Sequence, residues 1–146
     1  YYYCINSLIE AVDIKTYTEI SKDEECTVYT TLMEDLVKKV IYFYKSNPCM
    51  LNFIITSKSS CYLSDEIKRG RFTGANFFNS FWEKCKDKGI IKNVSTEFII
   101  AFILGVIYEF MKEDIIHKNI SLDDEKIDIL NDLIWSGLYV ENRVMS

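Results

Sequence analysis

Apolar residues recur at spacings of three and four along most of this 146-residue chain. This period places apolar side chains on one face of a helix, and it predicts about six helices. Strands joined by tight turns would use more proline and glycine than the one proline and five glycines present here. The length suits one domain, so the pattern predicts a single all-α bundle spanning residues 1–146.

Turn and capping residues set the predicted ends of these helices. Asn47 is expected to cap the third helix, with Pro48 at its first position, where a missing N–H costs nothing. Gly89 suits the end of the fourth helix, Ser95 the start of the fifth and Ser121 the start of the sixth. The first five predicted helices span about residues 2–17, 27–45, 48–56, 62–88 and 96–118, and the fourth is either one long helix or a pair of helices.

The fifth predicted helix is apolar on nearly every face from residue 98 to residue 110. A helix at the surface of a small domain normally carries one apolar stripe, so this helix must be covered on more than one side. Ala101 and Gly105 lie four residues apart and would let another backbone approach closely. Two interpretations stay open: the helix packs against a partner subunit, or it is the central helix of a monomeric bundle.

The last predicted helix favours the partner subunit. Its apolar residues form a stripe of Ile127, Leu130, Ile134 and Leu138, with Trp135 beside it. Two adjacent helices with surplus apolar surface would build a four-helix interface around a two-fold axis. The predicted dimer interface consists of Phe102, Gly105, Val106, Ile127, Leu130 and Ile134.

The fourth predicted helix carries a broad aromatic stripe, which includes Phe77, Phe78, Phe81 and Trp82 and ends at Cys85. Such a stripe is most typical of packed core, and the alternative is an apolar cavity that holds a small molecule. If the cavity exists, neighbouring helices would contribute adaptable or aromatic side chains to it. The predicted effector pocket consists of Met33, Phe53, Phe77, Phe81, Trp82 and Cys85.

The charge of the chain argues against direct contact with nucleic acid. The formal net charge is −5, and the densest basic stretch, Lys84, Lys86 and Lys88, is interleaved with Glu83 and Asp87. A domain that grips phosphates normally shows a basic face. We therefore expect any DNA contact to come from a region outside this chain.

The reactive side chains predict neither a cofactor nor catalysis. The five cysteines form no CxxC pair and there is one histidine, His117, so we expect no metal site, no cofactor and no enzyme. Scattered thiols suit a reducing cytoplasm. No apolar run reaches the roughly 20 residues that a membrane-spanning helix needs.

Three stretches of the sequence resemble the C-terminal domain of TetR-family transcriptional regulators. Residues 88–101 combine a helix end at Lys88, a Gly-Ile turn, a polar connector and an apolar helix that continues to Gly105. Residues 133–138 are similar to the closing apolar-Gly-Leu run of that family. Residues 1–12 are similar to the chain that enters the first helix of the family's ligand domain.

The resemblance implies a homodimer built from the last two long helices, with a small-molecule pocket among the first four. The family's helix-turn-helix would lie before Tyr1, and binding of an apolar or amphipathic effector would change the spacing of the two DNA-reading heads. A different class of function stays open beside this one. The chain would then be an all-α protein-interaction module without a small-molecule ligand, whose apolar helix docks a peptide or another protein.

Overall fold

A computed structural model of the chain describes residues 2–58 and 78–140 and confirms the all-α fold. The helices in the described part are α1 (Tyr2–Ala11), α2 (Ile14–Thr18), α3 (Cys26–Ser46), α4 (Pro48–Lys58), α5 (Asn79–Asp87), α6 (Thr96–Met111) and α7 (Asp124–Leu138). A π-helical turn, Lys112–Ile116, continues α6. The predicted fourth helix falls largely on residues outside the described part, and α5 is its C-terminal end.

Helix α3 lies at the centre of the bundle, where it contacts α1, α4, α6 and α7. Its 21 residues bury one row of side chains that includes Tyr29, Met33, Val37 and Tyr44. The residues of this row recur at the spacing of three and four seen in the sequence, so the apolar residues of the helical pattern are the ones that form the core. Helices α5 and α7 close the core from the far side with Phe81, Trp82, Trp135 and their neighbours.

The first predicted helix is two helices, because the chain turns at Asp13. Asp13 adopts a left-handed backbone conformation with φ of 54°, which aspartate tolerates better than most residues. Its carboxylate accepts a hydrogen bond from the Thr16 hydroxyl at 2.9 Å, which stabilises the turn. The break redirects α2 so that Tyr17 is fully buried against α5.

Helix α6 begins where the sequence predicts and ends earlier. The Ser95 side chain accepts a hydrogen bond from the backbone N–H of Phe98 at 3.2 Å, which confirms Ser95 as the N-cap. The α-helical hydrogen bonding stops at Met111, the π-helical turn follows, and Lys118 ends it with φ of 56°. The prediction of one continuous helix to residue 118 is therefore corrected.

Two predicted caps are replaced by other contacts. Asp123, and not Ser121, caps α7, since its carboxylate accepts the backbone N–H of Lys126 at 2.9 Å. This backbone hydrogen bond lowers the pKa of Asp123 below its usual range, and the Lys126 charge adds to the effect. The Asn47 side chain turns back and donates to the Phe43 carbonyl at 2.9 Å, so it serves the end of α3 rather than the start of α4.

A short antiparallel bridge fixes the end of α7 to the connection between α5 and α6. Ile91 pairs with Tyr139, the Lys92 N–H donates to the Leu138 carbonyl at 2.9 Å, and the Val140 N–H donates to the Ile90 carbonyl at 2.9 Å. The bridge holds α6 and α7 side by side at this end of the bundle.

Candidate functional site

Helices α6 and α7 leave an apolar surface uncovered. We call this surface the apolar face; it consists of Phe98, Ala101, Phe102, Gly105, Ile129, Leu133 and Gly137. The largest of its side chains are strongly exposed: Phe98 by 66%, Leu133 by 59% and Ile129 by 53%. Their spacing of three and four places the α6 residues in one row and the α7 residues in another. Contiguous exposed apolar side chains of this size mark interaction sites in soluble proteins.

The two rows of the apolar face touch each other. An ideal Cβ placed on Gly137 would lie 3.5 Å from the Phe102 ring, so the ring rests against the α7 backbone. A Cβ placed on Gly105 would meet no atom within 4 Å, so the α6 backbone is open to solvent there. The face is thus a continuous surface with a shallow point at Gly105. At the end of the α6 row stands Glu109, which pairs with Lys112 at 2.6 Å.

The structure divides the residues of the predicted interface between the surface and the core. Phe102 and Gly105 lie on the apolar face, and Val106 is partly buried beside it. The α7 residues Ile127, Leu130 and Ile134 are each 1% exposed and pack inside the chain's own core. The large exposed apolar residues of α7 are instead Ile129 and Leu133, which the predicted interface did not include. Their spacing of four was a usable signal, but the longer stripe on the opposite side of α7 outweighed it.

The residues of the predicted pocket are divided in a similar way. Met33, Phe81, Trp82 and Cys85 all lie in one buried core between α3 and α5. Phe53 is 47% exposed on α4 and is not part of that core. Phe77 lies outside the described residues.

A continuous series of aromatic contacts runs through this core from α2 to the end of α7. We call it the aromatic chain; its rings are Tyr17, Tyr29, Phe78, Phe81, Trp82, Trp135 and Tyr139. Neighbouring ring centroids are 5.1 Å apart between Phe81 and Trp82 and 6.3 Å apart between Trp82 and Trp135. Most pairs are edge-on or stacked, the geometries that the ring quadrupole favours.

Lys84 of α5 and Lys88, the residue directly after α5, hold the connection between α2 and α3 against this core. Lys84 donates to the Ile20 carbonyl at 2.9 Å, and Lys88 donates to the Glu24 carbonyl at 2.7 Å. The Lys88 ammonium also lies 5.2 Å from the centre of the Tyr29 ring. A displacement of α5 would therefore also move the connection between α2 and α3.

Cys85 lies within this core as an apolar side chain. Burial, with a smaller contribution from the neighbouring Cys26, raises the pKa of its thiol to about 12. Because the thiolate is the nucleophilic form, a thiol with this pKa is unreactive at neutral pH. Its contribution to a pocket would be shape and not covalent chemistry.

The described residues also border a shallow cleft at the surface between α2 and the start of α3. Asp13, Glu19 and Glu24 stand at its edge, and Ile20 and Val28 are among its apolar residues. The cleft shares no residue with the predicted effector pocket.

Comparison with known protein families agrees with the geometry of the fold. Residues 6–140 match the family described as Tetracyclin repressor-like, C-terminal domain. Since the match spans nearly the whole chain, the chain belongs to this family, whose domains are parts of transcriptional regulators. No curated protein and no solved structure gives a significant match. Among the described residues, no helix is long and apolar enough to cross a membrane.

Proposed function

We propose that this chain is the single ligand-sensing and dimerisation domain of a cytoplasmic TetR-like regulator. Two copies associate through the apolar face, and a small apolar or amphipathic effector enters the aromatic core. DNA binding belongs to a helix-turn-helix outside the chain, and effector binding modulates it. The domain has no catalytic role in this proposal, and it needs neither a metal nor an organic cofactor.

The apolar face is the observation that carries the proposal. Phe98, Phe102, Ile129 and Leu133 are large side chains that water contacts in the isolated chain. Covering the exposed half of each side chain would stabilise the dimer by roughly 1 kcal/mol. A two-fold interface contains each of these side chains twice, once from each copy. Helices α6 and α7 of two copies would then form a four-helix arrangement in which the same surface meets itself.

The position of the aromatic chain supports the sensing part of the proposal. It connects α2, α3 and α5 with α7, and α7 carries half of the apolar face on its opposite side. A ligand that separates rings in the core would move α7 or α5. Movement of α7 would displace the proposed interface, and movement of α5 would displace the connection between α2 and α3. Such a ligand shifts the equilibrium only as far as it prefers one arrangement over the other.

Substitution of Gly105 tests the proposed packing of α6 on its partner. We expect Gly105→Leu to raise the dimer dissociation constant at least about tenfold, or about 1.4 kcal/mol, because a long side chain would hold the two backbones apart. Gly105→Ala is the matched control, since it adds one methyl group and improves helix propensity by about 1 kcal/mol. Sedimentation equilibrium of the three proteins measures the effect. Unchanged association of the leucine variant would contradict close packing of α6 at this point.

A further inference from the structure

We draw no further inference here: the strongest candidate, the shallow surface cleft between α2 and the start of α3 that Asp13, Glu19 and Glu24 border, is an acidic cluster, and no second observation in the described part of the chain points to a ligand there.

Discussion

Replacing Ile129 and Leu133 together by glutamate is expected to convert the proposed dimer into a folded monomer of 17.2 kDa. The two side chains are 53% and 59% exposed, so charged residues at these positions face water in the isolated chain and cost little there. In a two-fold interface the same substitutions would place four carboxylates in an apolar contact, each with a desolvation cost of several kcal/mol. Light scattering gives the mass, and circular dichroism verifies that the helices remain.

Val28→Glu is the matched control for this pair of substitutions. Val28 is a surface apolar residue with 37% exposure on α3, away from the apolar face. The control protein should associate like the wild type. If the Ile129 and Leu133 variant is still a dimer, then α7 does not contribute its outer side to the interface and the proposed placement is wrong.

Trp135→Ala is expected to have the largest effect on stability, with a loss of about 3–5 kcal/mol in the free energy of unfolding. The side chain is 1% exposed and contacts both Trp82 and Tyr139. Its removal leaves a cavity in the aromatic chain and deprives Asn131 of the indole donor. Urea unfolding followed by circular dichroism measures the change at a protein concentration that keeps the oligomeric state constant.

Trp135→Phe separates the two contributions. It retains much of the packing but loses the N–H that Asn131 accepts, so we expect it to cost about 1–2 kcal/mol. Equal losses for the two variants would mean that the hydrogen bond, and not the ring contacts, stabilises this part of the core.

The helical period of the apolar residues was sufficient to predict the all-α fold. The errors in the predicted helix ends come from local backbone geometry. The row on α3 and the Ser95 cap follow from residue type and spacing. The break at Asp13 depends on a left-handed conformation that aspartate adopts only occasionally. The apolar period continues through Asp13 unchanged and gave no sign of the break. The cap of α7 was misplaced because Ser121 and Asp123 are both good N-caps, and the choice depends on tertiary packing.

The candidate site was harder to predict because residue spacing does not say what covers a stripe. Helix α7 has an apolar row on each side, and the richer one, Ile127, Leu130 and Ile134, faces the chain's own core. That row was predicted to contact the partner, whereas Ile129 and Leu133 are the exposed apolar residues.

The mass of the wild-type chain in solution tests the central claim most directly. Static light scattering between roughly 1 and 50 μM covers the range in which a specific interface with micromolar or tighter affinity is populated. Self-association through the apolar face predicts a mass of twice the 17.2 kDa of one chain at the upper end of this range. A folded chain that keeps the monomer mass throughout would contradict self-association through the apolar face, and would favour a different protein as the partner of that face.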